Sequence, residues 1–508
     1  MLIQTDWLKN LRGRSFDLEL GAIAIIYFVQ GAMAISQLAV SFFLKDDLGL
    51  SPAEVASMVG ITMLPWTVKP LYGLISDGFP VFGYRRRPYL LLSSFLGVFA
   101  WASMSIWVTT PFWAIAMIAI GSLSLAFSDA ITDALIVQRA RLEPEGDAGS
   151  LQSFSWIASS VGAIMSAYLS GYLLEHFGAK FVFEITAILP LLVGISAFAI
   201  ADYPMSAIFI TAPDPSVTNS ADHSGDQPKP STPNSSRNSQ AWMSLKFNFI
   251  QLKQAFTNKA IWMPAAFLFV WQATPSADTA FFYFTTNELK FNPEFLGTIK
   301  FFASWAGLLG VWLFQRFFKG VPTRKIFFWT TIISTALGLT SLLLVTHVNR
   351  SLGIDDRWFS LGDNLILTIA GRIAFMPVLV LAARLCPEGI EATLFALLMS
   401  VLNISALCSF QLGAGLTHLL GVTESNFDNL WILILIANIS SLLPLPFLKW
   451  LPDEKSTNTE EISKPSVLPE STIASLAIEA IEAIETVEIE PLESGESDRP
   501  EAMLQENI

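Results

Sequence analysis

Apolar stretches about 20 residues long recur along most of this 508-residue chain, and that recurrence constrains the fold more than any other feature. In hydrocarbon the backbone finds no water, so a crossing segment must bond its own N–H and C=O groups. A helix of about 20 apolar residues does this across a bilayer core about 30 Å thick. The runs lie at 20–44, 53–77, 88–109, 112–136, 150–175 and 180–202. After a gap they resume at 260–285, 294–318, 325–347, 361–385, 391–419 and 428–450. Numbered as spans 1–12, they predict an all-α membrane protein with twelve transmembrane helices in two six-helix halves.

Lysine and arginine are retained on the cytoplasmic side of membrane proteins. With the N-terminus inside, 17 of these bases flank inner ends and 5 flank outer ends. Both termini and the central segment are therefore expected in the cytoplasm. Met1–Gly21 is polar, so no cleavable signal peptide is expected. Asp6, Asp17 and Glu19 in the short leader argue against a plastid transit peptide. The expected location is the cell (inner or plasma) membrane, with the lipid bilayer as solvent.

The formal charge of −13 suggests an acidic soluble protein until its distribution is read. Residues 451–508 carry a net −12, whereas residues 1–450 carry a net −1. No basic stripe stands out, so nucleic acid is not an expected partner. Cys386 and Cys408, the only cysteines, lie in apolar stretches and read as reduced core thiols rather than a disulfide scaffold.

The expected organisation is an N-terminal segment 1–19, a first half 20–202, a linker 203–259, a second half 260–450 and an acidic tail 451–508. Residues 211–240 are Pro, Ser, Asn and Asp with almost nothing to bury, and read as disordered. Residues 241–256 read either as a helix in the membrane interface or as an extension of span 7. In the tail, 475–490 alternates Ile or Val with Glu, which suits a solvated segment or a docking helix for a protein partner.

A charged side chain near the bilayer centre costs about 2.5–3.5 kcal/mol on insertion scales, so each one needs a partner or a wet cavity. The candidates are Lys69 in span 2, Asp129 and Asp133 in span 4, Asp278 in span 7, Lys300 in span 8 and Arg372 in span 10. Gln30 and Gln37 in span 1 and Gln272 in span 7 add neutral polar groups. Asp129 and Asp133 are spaced i,i+4 and share a face, where they can hold a proton or pair with Lys69. Depth also matches Asp278 to Lys300 as a pair. Arg372 has no acid on its own helix, which suits a substrate carboxylate or a distant Asp. Pro65, Pro70, Pro264, Pro275 and Pro377 mark bends. Gly162, Ser166 and Ser170 give span 5 a face for close packing.

Six spans, a long link and six spans resemble the major facilitator architecture. Its loop signature is similar to GLISDGFPVFGYRRRPY at 73–89, where Gly73, Asp77, Arg85, Arg86 and Arg87 form a gating loop with the arginines at the anionic leaflet. The corresponding loop at 310–325 has Phe314 in place of the Asp. In that architecture spans 1, 4, 7 and 10 line the cavity, which is where most of the buried polar groups fall.

More specific strings follow: AVSFFLKDDLGLSPAEVA (39–56), LPWTVKPLYGLISD (64–77), SDAITDALIVQRAR (128–141), WQATPSADTAFFYFTTNEL (271–289) and AARLCPEGIEATLFALLMS (382–400). Over roughly 20–450 the chain resembles the folate-biopterin transporter family, most closely its cyanobacterial members. The resemblance implies secondary transport of folates, pterins and antifolate analogues, with protons as a candidate coupling ion and no cofactor. It implies functional roles at Lys69, Asp77, Asp129, Asp133, Gln138, Arg139, Gln272, Asp278 and Arg372. Gln138 departs from the Glu expected there. Trp271 and Phe282 supply stacking surface for a pteridine beside Gln272 and Asp278, and Arg372 suits a carboxylate of the glutamate end. Carriage of another anionic metabolite, or a sensor role through the tail, are the other readings. Histidines without metal-ligand spacing and the lack of a Gly-rich nucleotide loop argue against an enzyme, a metal site or an ATP-driven pump.

Overall fold

A computed structural model describes residues 18–140, 148–200, 202, 259–318, 321–384 and 391–451. The linker segment 203–258, with its proposed interfacial helix, and the tail 452–508 lie outside the described residues. Inner and outer below denote the sides assigned by the distribution of bases.

Among the described residues, nine helical stretches are long and apolar enough to cross a membrane. One of them, Phe154–Ala197, covers spans 5 and 6 together. At 44 residues it is about 66 Å long, twice the hydrocarbon core. It turns at Gly178, where φ is 82°, a left-handed conformation that glycine adopts without strain. Spans 2 and 7 are helical but interrupted. Span 2 consists of Pro52–Ile61, Leu64–Thr67 and Lys69–Gly78, and span 7 of Lys259–Gln272 and Asp278–Tyr283. All twelve apolar runs thus have helical counterparts, without twelve unbroken helices.

The interruptions share one physical solution. Backbone groups freed at membrane depth must find partners outside their own helix. At the span 7 break the carbonyl of Thr274 accepts from Ser409 Oγ at 2.5 Å, and the Ser276 N–H donates to the Ser409 carbonyl at 3.2 Å. At the span 2 break Ser122 Oγ of span 4 donates to the Thr62 carbonyl at 2.7 Å. Span 1 breaks at Met33 and Ala34 without a proline, and Ser166 Oγ of span 5 donates to the Ala32 carbonyl at 2.8 Å. In each case a serine of the neighbouring helix takes the freed carbonyl.

Small residues allow the close approach these bonds require. Gly31 and Gly162 seat span 1 against the backbone of span 5, as the small-residue spacing predicts, and a Cβ on either would strike the other helix's main chain. The halves meet where span 2 runs along span 11 and span 5 along span 8. Gly171 and Gly297 bring spans 5 and 8 into backbone contact. Ser57 Oγ and Gln411 Oε1 lie 2.9 Å apart, Gln411 Nε2 donates to the Ser57 carbonyl, and Asn403 Nδ2 donates to the Trp66 carbonyl at 3.0 Å. At the outer ends Lys45 donates to Asn287 Oδ1 at 2.9 Å, and the Tyr283 hydroxyl donates to the Leu50 carbonyl.

Large apolar side chains sort to both sides of the helices. Ile26, Phe43, Leu90, Met104, Ile131 and Phe183 are fully buried between helices, whereas Phe95, Ile106, Phe198 and Trp312 are exposed on the perimeter. For a membrane protein that exposed apolar perimeter is the lipid face. Cys408 is a half-buried free thiol, and Cys386 lies outside the described residues.

Candidate functional site

The three ionisable candidates at membrane depth in the first half converge on one point. Lys69 is the first residue of the last segment of span 2. Its ammonium pairs with Asp129 and, at 2.6 Å, with Asp133 Oδ2. The two carboxylates lie one turn apart on span 4, so a single cation bridges both. Tyr27 of span 1 donates its hydroxyl to Asp133 Oδ1 at 2.5 Å. Gln30, one turn along span 1, turns its buried amide toward Asp129. Exposure is graded across the cluster: the Asp129 side chain is 15% exposed and that of Asp133 is 44% exposed. Spans 1, 2 and 4 therefore build a site of two carboxylates around one ammonium, closed at Asp129 and open at Asp133.

Tyr27 was not among the sequence candidates. It stands three residues before Gln30, on the same helical face, but within an apolar run nothing in the sequence separates it from a core aromatic. Gln37 lies beyond the break in span 1 and is exposed.

In the second half, polar groups collect at a break rather than in ion pairs. Gln272 ends the first segment of span 7 and Asp278 begins the second, so both flank the interruption that Pro275 occupies. Asp278 is exposed, and its N–H donates to Ser276 Oγ at 3.1 Å. The expected pairing of Asp278 with Lys300 does not form. Matching depth predicted the pair, but the break places Asp278 at the start of a new helix segment, which re-aims its carboxylate. Trp271 meets Phe327 edge-to-face at 5.6 Å, and Phe282 meets Phe42 of span 1 at 5.3 Å, across the two halves. Arg372 is exposed and lies along Gly307 and Gly310 of span 8, with no ion pair to a described residue.

The loop after span 2 differs from expectation in one respect. The anionic leaflet is the expected position of the arginines, yet Arg86 is buried and donates to Ser76 Oγ at 2.8 Å. Arg87 donates to the Ile200 carbonyl at 2.6 and 2.9 Å. Asp202 accepts the N–H groups of Arg86 and Arg87 at 2.7 and 3.0 Å, capping span 3 from the end of span 6. The helix-end carbonyl of Ile200 thus draws Arg87 inward, and the Ser76 hydroxyl receives Arg86. The second half repeats the device: Arg324, starting span 9, donates to the Leu451 carbonyl at 2.9 Å at the end of span 12. Gly73 has open space around it. The side chains of Asp77, Gln138 and Arg139 lie outside the described residues.

A further carboxylate that hydropathy did not single out is Asp363 of span 10. It accepts from Thr340 and from Ser341 Oγ, the latter at 2.9 Å, where span 9 is interrupted.

A model of the BT1 family matches residues 30–469. A folate-biopterin transporter of Synechocystis sp. is 50% identical over 92% of this chain and 90% of that protein. Folate transporter 1 of Plasmodium falciparum is 31% identical over 85% of this chain and 79% of that protein. Among solved structures, the nucleoside transporter NupG superposes with a TM-score of 0.58 at 15% identity, covering 86% of this chain and 99% of that one. A D-xylose–proton symporter superposes with a TM-score of 0.57 at 14% identity, covering 86% and 97%. At such identities the likeness speaks for the fold, which is that of the major facilitator superfamily.

Proposed function

The chain belongs to the BT1 family, and on that premise we propose that it carries folates and pterins across a membrane as a multi-pass secondary transporter. It is a transporter and not an enzyme. The observation that carries the substrate class is the likeness, over nearly its whole length, to transporters named for folate and biopterin. The chemistry of the site agrees with it. Carboxylates at Asp129, Asp133 and Asp278 and amides at Gln30, Gln37 and Gln272 match the N–H and carbonyl edges of a pteridine. Trp271 and Phe282 provide aromatic surface, and Arg372 offers a fork for a carboxylate.

Transport proceeds by alternating access, with the halves rocking about a central site in a twelve-span arrangement. The Lys69–Asp129–Asp133 cluster serves as the proton-coupling site. Its carboxylates share one cation, so taking up a proton changes the charge balance without removing the pairing. The protein resides in the cell (inner or plasma) membrane with both termini in the cytoplasm, and the acidic tail is available to a protein partner. The loop residues Gly73, Asp77, Arg85–Arg87, Gln138 and Arg139 act as a gate on the inner side.

Uptake of radiolabelled folate by a folate-requiring bacterial strain expressing the protein tests this. Unlabelled folate and biopterin are expected to compete, an unrelated dicarboxylate is not, and an uncoupler is expected to lower accumulation. Absence of uptake, or equal competition by the dicarboxylate, overturns the substrate assignment. Uptake indifferent to the uncoupler overturns proton coupling alone.

A further inference from the structure

Span 8 carries a polar stripe on the side away from lipid. Along its middle the exposed apolar residues, Phe302, Trp305, Leu308, Leu309 and Trp312, form one face. Lys300 lies about 145° round the helix from the centre of that face. Seven residues separate Lys300 from Gly307, so their Cβ directions differ by about 20°. Lys300 is half-buried and forms no ion pair with a described residue.

Arg372 of span 10 lies in the same stripe. A Cβ built on Gly310 stands 2.9 Å from Arg372 Cβ, and one built on Gly307 stands 3.3 Å from Arg372 Nε. The arginine stem therefore runs along span 8 from Gly310 toward Gly307, in the direction of Lys300. The two glycines leave the track open, since side chains there would meet the arginine. From Gly307 to Lys300 is about 10 Å along the helix axis, and both side chains are long. Two cations so placed repel unless an anion lies between them.

The first half carries the opposite balance, two carboxylates around one ammonium. We propose that Lys300 and Arg372 form a two-point clamp for the paired carboxylates of a folate's glutamate end. The clamp orients the substrate with its pteridine toward Asp129 and Asp133. This rests on the transport reading above and refines it. Unconjugated pterins, which lack the glutamate, enter the same site without using the clamp, so the clamp sets the preference between the two substrate classes. Lys300 thereby gains a role in substrate selection in place of the pairing with Asp278.

Uptake of radiolabelled folate and of radiolabelled biopterin is measured in the same cells for the wild type, Lys300→Met, Lys300→Arg and Arg372→Met. The ratio of the two uptakes cancels differences in the amount of protein reaching the membrane. Losing one charge-assisted contact is expected to lower the folate-to-biopterin ratio about tenfold in Lys300→Met and in Arg372→Met. Lys300→Arg is expected to keep most of the wild-type ratio. A ratio unchanged in both Met variants overturns the clamp. So does loss of both substrates in Lys300→Met while Lys300→Arg is active on both, which assigns Lys300 to folding or general transport. Wild-type cells that take up neither substrate overturn the transport reading itself, an outcome distinct from the others.

Discussion

Lys69 shares its ammonium between two carboxylates one turn apart, an arrangement in which the partners are not interchangeable. Removing Asp129 leaves Lys69 paired with Asp133; removing Lys69 leaves two carboxylates facing each other in a site that is mostly closed. Breaking a buried pair by deleting one partner costs about 3–5 kcal/mol, and the openness at Asp133 brings the value toward the lower end. Lys69→Met is therefore expected to lower the apparent melting temperature in detergent clearly more than Asp129→Asn. Adding Asp129→Asn and Asp133→Asn to Lys69→Met is expected to recover most of the loss. Equal melting of Lys69→Met and Asp129→Asn means that the bridge is not the main interaction of the cluster. At this scale the sequence was informative where charge met spacing. The i,i+4 carboxylates and an equally deep Lys pointed to each other. Tyr27 did not announce itself, because a tyrosine in an apolar run looks like any other aromatic until its hydroxyl has a partner. Asp278 and Lys300 misled, because equal depth does not fix the direction of a side chain after a helix break.

Among helices, interruptions matter more than lengths. Pro65, Pro70 and Pro275 marked the breaks of spans 2 and 7, since each removes a donor and crowds the preceding turn. The break in span 1 carries no such mark. It depends on Ser166 of span 5, which takes the Ala32 carbonyl out of its own helix, and on Gly31 and Gly162, which let the two helices close up. A cue held on another helix is invisible to a reading of span 1 alone. The span 7 break is held by span 11 in the same way, through Ser409 and through Gly413, where a Cβ would fall on the Ser276 carbonyl. Two substitutions there separate bonding from space. Ser409→Ala strips one bond from a freed carbonyl and is expected to destabilise by about 1–3 kcal/mol, read as a modest drop in apparent melting temperature. Gly413→Val drives a branched side chain into the break and is expected to abolish folate uptake or accumulation of folded protein. Near-wild-type stability and uptake in Gly413→Val means that span 7 does not require this close approach.

For the whole molecule, the bonds between the halves decide which motion is available. Between described residues of the two halves, the hydrogen bonds join the outer ends of spans 1 and 7 and continue along spans 2 and 11 as far as Trp66 and Asn403. With the orientation proposed here, these bonds hold the outer ends of the two halves together. The mirrored arginine bonds, Arg87 to Ile200 and Arg324 to Leu451, tie spans 3 to 6 and spans 9 to 12 within each half. Those bonds leave each half free to move as a body. Alternating access then requires the span 2–span 11 contact to part during each cycle. A Cβ on Gly60 stands 3.0 Å from Phe410 Cβ across that contact, slightly inside the spacing of about 3.8 Å usual for a disulfide, so a small relaxation brings two cysteines into range. In a background with Cys386 and Cys408 replaced by Ser, the pair Gly60→Cys and Phe410→Cys is expected to cross-link under mild oxidation. Cross-linking is expected to stop folate uptake, and reductant to restore it. Each single-cysteine variant controls for the substitution itself and is expected to keep its uptake through the same treatment. Full uptake by the oxidised, demonstrably cross-linked double variant means that the outer contact stays shut during transport. In that case the halves do not rock about this interface, and the substrate must leave by a path that keeps spans 2 and 11 together.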